Sequence, residues 1–323
     1  MICAFDAGEH LRPSVESALA QTHAELEVMV VDDGSRDGSV DAIADLGRDP
    51  RLRVLRQPRN EGKSAALNRA LDELGGEFYA IQDADDLSAP TRIERQLRPF
   101  LADPGLAAVL CGHELILDGR RVAPTFPAKD PERCRRDVAA MRMPAHDPTA
   151  MYRVSAVRGL RYDVGLVLNE GLDYILQVGE AHPIATLGEC LYAYRVNPGS
   201  ITRRRFDERA TSLDRVRRRA HARRGLAPPP PAAPPGPPRA RDRDNNLAAF
   251  FIDSALDLRR LGRRADALRT GIACSRLHPA DPHYHKALAY SLAPAPLVRR
   301  LSRAGAELGP SRASGRRATM TGS

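Results

Sequence analysis

The chain has 323 residues and a formal net charge of +8, and this length suits one large domain with an appendage. Its five cysteines are scattered without any Cys-Xaa-Xaa-Cys spacing, which excludes a disulfide framework or an ordinary zinc site and favours a reducing compartment. No stretch approaches about 18 uninterrupted apolar residues, so the sequence predicts a soluble or peripheral protein.

Charge is divided unevenly along the chain. Residues 1–202 carry 23 Lys and Arg against 31 Asp and Glu, whereas residues 203–323 carry 26 against 10. A basic part that follows an acidic body indicates a polyanionic partner, although an Arg-rich composition of the whole genome would give part of the same pattern. We expect a cytoplasmic protein whose C-terminal part touches anionic lipids at the inner face of the membrane, and no specific nucleic acid.

Strand patterns alternate with helix patterns before residue 75, at 2–5, 11–19, 26–31, 40–46, 52–55 and 60–74. The helical segments are recognised by apolar residues three or four positions apart, and the strands by short apolar runs. This alternation favours an α/β fold in which a largely parallel sheet has helices on both faces.

Two predicted strands end in acidic residues. One leads into Asp83, Asp85 and Asp86, and an earlier one leads into Asp32 and Asp33. In an open α/β sheet, ligands bind at the carboxyl ends of the strands, and carboxylates spaced i, i+2 suit a divalent cation. Turn formation, helix capping and plain solvation are the alternatives for these acids.

Four segments resemble the successive motifs of family 2 glycosyltransferases: ICAFDAGEHL at 2–11, VVDDGSRDGS at 30–39, NEGKSAALNRA at 60–70 and QDADD at 82–86. The resemblance is strong over residues 1–100 and fainter over 101–202. It implies a GT-A nucleotide-diphospho-sugar transferase fold and inversion at the anomeric carbon. It also implies a nucleotide-diphospho-sugar donor, with a UDP-sugar preferred, and a divalent cation, Mn²⁺ or Mg²⁺.

Carried over by position, the resemblance implies nucleotide or diphosphate contacts for Ala4, Phe5, Asp32, Asp33, Asn60, Lys63, Asp83, Ala84 and Arg195. Carboxylates accept hydrogen bonds from a base or ribose, and the Lys63 ammonium partly neutralises phosphate. Asp83 and Asp85 would be the metal pair, with Asp85 the direct ligand, because a cation there stabilises the departing diphosphate as a Lewis acid. The alternative for Lys63 is a solvated side chain that binds no ligand. Three arginines of a predicted helix at 92–100, Arg92, Arg95 and Arg98, are expected to form a solvated stripe.

Residues 107–202 form the acceptor half in this resemblance. The predicted elements are strands at 107–111 and 114–117 joined by Gly112-His113, a helix at 131–143 and a strand at 185–194. The segment 146–153, which begins with His146, would line the acceptor pocket. A basic loop near Arg195, Arg203 and Arg204 would fold over the diphosphate.

The family's general base is an Asp in a Glu-Asp pair that opens a helix. In the matching stretch Glu170 is present, but Gly171 occupies the second acidic position. An inverting displacement needs a group that takes the proton of the acceptor hydroxyl. We therefore predict Glu170 as the base, with Asp173 in reserve. The alternative is that both are first-turn acids favoured by the helix dipole.

Composition predicts five regions: a catalytic domain at 1–205, a basic helix at 206–225, a Pro-rich linker at 226–240, a small helical domain at 241–303 and a disordered tail at 304–323. The helical domain resembles one tetratricopeptide unit, although no repeat period is visible.

The sequence therefore predicts a metal-dependent inverting glycosyltransferase that acts on a hydroxyl of a surface glycan or a lipid-linked precursor. Gly171 motivates a rival hypothesis, a non-catalytic sugar-nucleotide-binding or scaffold protein with a degenerate site. A nucleotidyltransferase would want a Gly- and Arg-rich phosphate loop after the first strand, and a receiver domain would need a later strand-end Lys. The sequence supplies neither.

Overall fold

The computed structural model describes residues 1–117, 120–196, 208–230, 245–294 and 296–298. The chain divides into two units, Met1–Pro229 and Pro230–Ser323. The predictions for Arg203, Arg204, most of the Pro-rich linker and the tail at 304–323 lie outside the described residues.

The strands of the first unit are β1 (Ile2–Ala4), β2 (Val28–Asp32), β3 (Leu52–Arg56), β4 (Phe78–Ala80), β5 (Gln82–Asp83), β6 (Leu87–Ser88), β7 (Ala108–Leu117), β8 (Arg120–Val122), β9 (Met151–Arg153) and β10 (Ile184–Arg195). Its helices are α1 (Leu11–Leu19), α2 (Lys63–Asp72), α3 (Arg92–Ala102), α4 (Pro131–Ala139), α5 (Glu170–Ala181) and α6 (Glu208–Arg223). Short 3₁₀ helices cover Gly8–His10, Asp41–Arg48 and Asp147–Thr149.

Two sheets form the framework. The first has the order β3-β2-β1-β5, and all its pairs are parallel. The second has the order β4-β9-β7-β10-β6, with β8 beside β7, and its β7–β10 pair is parallel while its other described pairs are antiparallel. Strands β4 and β5 follow each other directly in the chain, so the two sheets meet just before Asp83.

Strand β2 shows why helices cover both faces of the first sheet. All five of its residues are buried, and successive side chains point to opposite faces. Val28 and Val30 pack in the cluster that contains Leu11 and Val15 of α1. Met29 and Val31 pack in the cluster that contains residues of α2. The apolar run predicted as a buried strand is thus confirmed, with helices on each side.

Three predicted elements differ from the structure. The helix at 40–46 is a 3₁₀ helix, and the helix that begins at Pro131 ends at Ala139, because Met141 adopts a left-handed φ of +59°. The predicted two-strand arrangement around Gly112 is wrong, since β7 runs through it. Gly112 lies under the Phe126 ring, where a Cβ would come within 2.6 Å of Cδ2, so the glycine serves close packing rather than a turn.

The second unit contains helices α7 (Asn245–Arg260), α8 (Arg264–Leu277) and α9 (Lys286–Leu292). The three helices pack on one another, and their buried residues include Phe251, Leu258 and Cys274. None of the helices in the described parts of the chain is both long enough and apolar enough to cross a bilayer.

Candidate active site

The acid loop, residues 83–86, begins where β5 ends. In the parallel sheet Cys3 pairs with Asp83, and Ala4 pairs with Asp32. Strands β1, β2 and β5 therefore bring their carboxyl ends to one edge. This is the edge at which the sequence predicted a ligand.

Asp86 is the buried member of the acid loop. Its carboxylate accepts hydrogen bonds from the Tyr192 hydroxyl at 2.8 Å and from the Arg195 backbone N–H at 2.7 Å. Burial, together with the charges of Asp83 and Asp85, raises the pKa of Asp86 well above its usual value. Asp86 thus anchors the end of β10 to the loop.

Lys63 opens helix α2 and faces three carboxylates. Its Nζ lies 2.7 Å from Asp83 Oδ1 and 3.6 Å from Glu170 Oε1. Burial acts to lower the pKa of Lys63, but the charges of Asp83, Glu170 and Asp147 outweigh burial and raise the pKa well above its usual value. Lys63 is therefore the shared cation of a carboxylate cluster rather than a freely solvated side chain.

Asp83 and Asp85 both remain partly exposed. Burial raises the pKa of Asp85, and the charge of Asp83 raises it further. The two carboxylates supply hard oxygen donors, which suit Mn²⁺ or Mg²⁺. Within the described residues no group of three or more His, Cys, Asp or Glu side chains could hold a metal ion alone. A cation at this pair would need further ligands from substrate or water.

The two acids that end β2 differ in what their oxygens do. Asp33 accepts from the backbone N–H groups of residues 61–62 at 2.8 Å each and thereby holds the loop before α2. Asp32 accepts from the Ser35 backbone N–H at 2.8 Å, and its other oxygen lies 3.8 Å from the Arg56 guanidinium. Both side chains are buried, and Asp32 accepts fewer hydrogen bonds from the protein than Asp33 does.

The remaining predicted nucleotide contacts divide into exposed and buried residues. Phe5 and Asn60 are exposed, whereas the side chains of Ala4 and Ala84 lie in the core, so these two offer a ligand only their backbone. Gly34 brings the neighbouring loops together. Its φ is +77°, and a Cβ there would lie 2.9 Å from the Asn60 backbone nitrogen.

Arg195 ends β10 over the acid loop. Its Nε donates to the Asp85 carbonyl at 3.0 Å, in addition to the backbone hydrogen bond with Asp86. The structure thus brings this predicted phosphate contact to the candidate metal pair.

Glu170 begins helix α5, after Asn169 with a left-handed φ of +62°. Its side chain is 15% exposed and faces Lys63. The predicted base is therefore placed next to the acid loop.

Asp173, the reserve base, is enclosed between helices. It is 1% exposed and accepts from Arg219 at 3.1 Å, Arg223 at 3.1 Å and Gln177 at 3.0 Å. These contacts join α5 to α6 and give Asp173 a structural role.

Helix α6 uses its arginines within the first unit. Arg215 pairs with Asp163 at 2.9 Å, and Arg223 pairs with Glu180 at 2.7 Å. Much of the positive charge of the predicted basic helix is thus neutralised by the acidic body.

Two residues that shape the site were missed by sequence reasoning. Arg92, expected in a solvated stripe, is buried, and its Nη2 donates to the carbonyls of Ile81 at 3.0 Å and Pro148 at 2.8 Å. An arginine stripe looks the same in sequence whether it is solvated or buried. Asp147 is also buried near this edge of the sheet. The sequence feature that could have pointed to it is Gly171, because a missing carboxylate at that position calls for a replacement from another segment.

His146 packs among aromatic rings in the segment expected to line the acceptor pocket. Its ring centroid lies 5.1 Å from that of His113 and 5.0 Å from that of Tyr194. Burial lowers the pKa of His146 to about 4. The imidazole is therefore neutral at pH 7 and acts as a packing group.

Comparison with protein families gives a match to glycosyl transferase family 2 over residues 1–160. A chondroitin synthase of Pasteurella multocida is 37% identical over 109 residues, 33% of this chain and 11% of that protein. The succinoglycan biosynthesis protein ExoO of Rhizobium meliloti is 29% identical over 225 residues, 63% of this chain and 62% of that protein. The chain thus spans less than two thirds of the length of either relative.

Solved structures show the same fold. TarS residues 1–349 of S. aureus, in complex with UDP-GlcNAc, gives a TM-score of 0.59 at 17% identity, covering 94% of this chain and 90% of that one. The mannosyltransferase PcManGT of Pyrobaculum calidifontis, in complex with GDP-Man and Mn²⁺, gives 0.52 at 20% identity, covering 96% of this chain and 80% of that one. The expected glycosyltransferase fold is therefore confirmed.

Proposed function

We propose that this chain, which belongs to glycosyl transferase family 2 through residues 1–160, transfers a sugar from a nucleotide-diphospho-sugar to a hydroxyl group with inversion at the anomeric carbon. The observation that carries the proposal is the meeting of Lys63 with Asp83 at 2.7 Å, at the edge where three parallel strands end. The edge supplies both cationic and anionic groups, as a diphosphate and its counter-ion require.

The donor would lie across the ends of β1 and β2. Phe5 and Asn60 are exposed there, and the buried carboxylate of Asp32 would accept a hydrogen bond from the base or ribose. Lys63 and Arg195 supply positive charge beside the acid loop, where the diphosphate would sit. A UDP-sugar is our preferred donor. The structural neighbours in complex with UDP-GlcNAc and with GDP-Man support a donor of this class.

Asp83 and Asp85 would hold a divalent cation, Mn²⁺ or Mg²⁺. When bound, such a cation supplies Lewis-acid stabilisation of the charge that develops on the departing diphosphate. Lys63, already paired with Asp83, would bind the diphosphate from the other side. Asp83 and Asp85 are therefore chemically suited to hold a divalent cation.

The acceptor hydroxyl would enter near Glu170 and Asp147 and attack the anomeric carbon on the face away from the leaving diphosphate. Its proton goes to a carboxylate at this position, where Glu170 and Asp147 both act on Lys63. Relatives named as a chondroitin synthase and a succinoglycan biosynthesis protein support a glycan or a lipid-linked precursor as acceptor. A cytoplasmic location with peripheral membrane contact completes the proposal.

The rival is a non-catalytic sugar-nucleotide-binding or scaffold protein, which Gly171 favours because it removes the family's base. Purified protein is incubated with Mn²⁺ and a panel of UDP- and GDP-sugars, and nucleoside diphosphate release is measured. We expect release with at least one donor and none in excess chelator. Nucleotide binding without release from any donor, in the presence of candidate glycan acceptors, would support the rival.

A further inference from the structure

Gly171 and Asp147 share one position in space. A Cβ built on Gly171 would lie 2.3 Å from both Cγ and Oδ2 of Asp147 and 2.6 Å from its Cβ. The Asp147 carboxylate therefore occupies the space that a side chain at position 171 would enter. The two side chains cannot coexist without movement.

The turn that carries Asp147 is held firmly. Arg92 donates to the Pro148 carbonyl at 2.8 Å, and Gln96 donates to the Thr149 carbonyl at 2.8 Å. The Thr149 hydroxyl donates to the His146 carbonyl at 2.6 Å. Buried hydrogen bonds of this kind restrict the position of a functional carboxylate.

The Asp147 carboxylate interacts with the Tyr152 hydroxyl, which acts to lower its pKa, but this interaction does not satisfy both of its oxygens. The residue is 5% exposed, and its Oδ1 is buried without a hydrogen-bond partner. Burial raises the pKa of Asp147 to about 7, the charge of Lys63 opposes this rise, and the charges of Glu170 and Asp83 add to it. An acid of this kind is suited to exchange a proton near neutral pH.

Glu170 has a different environment. Its carboxylate lies 3.6 Å from Lys63 Nζ, and Lys63 in turn pairs with Asp83. Glu170 therefore contacts the lysine and helps to position it. Asp147, by contrast, keeps a buried Oδ1 without a hydrogen-bond partner.

We propose that Asp147 is the general base of this transfer and replaces the carboxylate that Gly171 cannot supply. The inference rests on the proposed function. The acceptor oxygen forms a bond to the anomeric carbon, and its proton moves to Asp147. The bond from the anomeric carbon to the diphosphate oxygen breaks, and its electron pair leaves with the nucleoside diphosphate. Asp147 later returns the proton to solvent.

The test compares Asp147→Asn with Glu170→Gln in the full chain, using the donor that gives the fastest nucleoside diphosphate release. We expect Asp147→Asn to lower kcat by about two to four orders of magnitude, with unchanged equilibrium binding of the nucleoside diphosphate. We expect Glu170→Gln to lower kcat by about tenfold or less and to raise KM, because it acts through Lys63. Asp49→Asn is the matched control, because Asp49 lies at a partly exposed turn, is paired with Arg51 and is not part of the site.

A double variant tests the shared position directly. Gly171→Asp alone should lower the melting temperature, because its side chain meets Asp147. In combination with Asp147→Gly it should fold like the wild type and give at least tenfold higher kcat than Asp147→Gly alone. Near-normal turnover by Asp147→Asn, or a large loss with Glu170→Gln instead, would overturn the inference while leaving the proposed function intact. A wild type that releases no nucleotide would overturn both.

Discussion

The proposed donor side of the site contains Asp32, Lys63 and the acid loop, and the proposed acceptor side contains Asp147 and Gly171. The two sides are constructed differently. On the donor side each group follows the end of a parallel strand or the start of the next helix, so short motifs fix its position. On the acceptor side, Gly171 leaves a space because it has no side chain, and Asp147 of another segment fills that space.

This difference teaches how each side tolerates change. A strand-end carboxylate has no substitute, because the geometry of the sheet dictates which residue reaches the edge. A base needs only to bring an oxygen within hydrogen-bond reach of the acceptor. A carboxylate from another segment can therefore replace it, and the loss of a motif residue on the acceptor side is weak evidence for loss of activity.

The largest effect is expected on the donor side. Asp85→Ala should lower transfer by at least about 1,000-fold, equivalent to about 4 kcal/mol, because it removes an oxygen donor from a partly exposed loop position. The melting temperature should stay close to that of the wild type. Glu132→Ala, on the exposed face of α4 and paired with Arg136, is the control. Full activity of Asp85→Ala in excess chelator would exclude the metal role of this pair.

The next largest effect is expected at Arg92, which holds the turn that carries Asp147. Arg92→Met should lower the free energy of unfolding by about 3 kcal/mol, because it leaves buried carbonyls of Ile81 and Pro148 without a donor. Arg98→Met is the matched control, since Arg98 lies on the same helix but is exposed and pairs with Glu94. Chemical denaturation should separate the two variants clearly. Equal midpoints would show that the Arg92 contacts contribute little.

The sequence predicted the donor side better than the acceptor side, for the same structural reason. The strand before Asp83 and the helix after Lys63 are local patterns, so their ends could be located from apolar spacing. The burial of Arg92 and the overlap of Asp147 with Gly171 depend on segments that meet only in the folded chain. Periodicity along one segment carries no information about such contacts.

Two buried acids of the acceptor half should respond to neutralisation with opposite signs. The pKa of Asp147 is raised from 3.8 to about 7, so its contribution to stability is present below pH 3.8 and is lost as the pH rises through 7. Asp147→Asn should therefore increase the free energy of unfolding by about 2 kcal/mol at pH 7.5 and by less at pH 5. Lys63, Glu170 and Asp83 are the charged groups that act on this carboxylate.

Asp173→Asn is the control for the direction in which Asp147→Asn changes the free energy of unfolding. Asp173 pairs with Arg219 and Arg223, so its neutralisation should lower the free energy of unfolding at both pH values. Stabilisation by both variants would indicate that burial alone, rather than the lack of a paired arginine, governs the response of Asp147.

The smallest expected effect concerns His146, which packs beside the acceptor side without a hydrogen-bond partner for its buried Nε2. Because its pKa is lowered from 6.5 to about 4, its contribution to stability is present above pH 6.5 and is lost as the pH falls toward 4. His146→Phe should keep the ring contacts with His113 and Tyr194 but remove this titration. The free energy of unfolding of the variant, relative to the wild type, should therefore rise by about 1 kcal/mol between pH 7 and pH 5. A constant difference between the two proteins across this range would mean that the imidazole accepts a proton in the folded state, and the neutral packing role assigned to His146 would then be wrong.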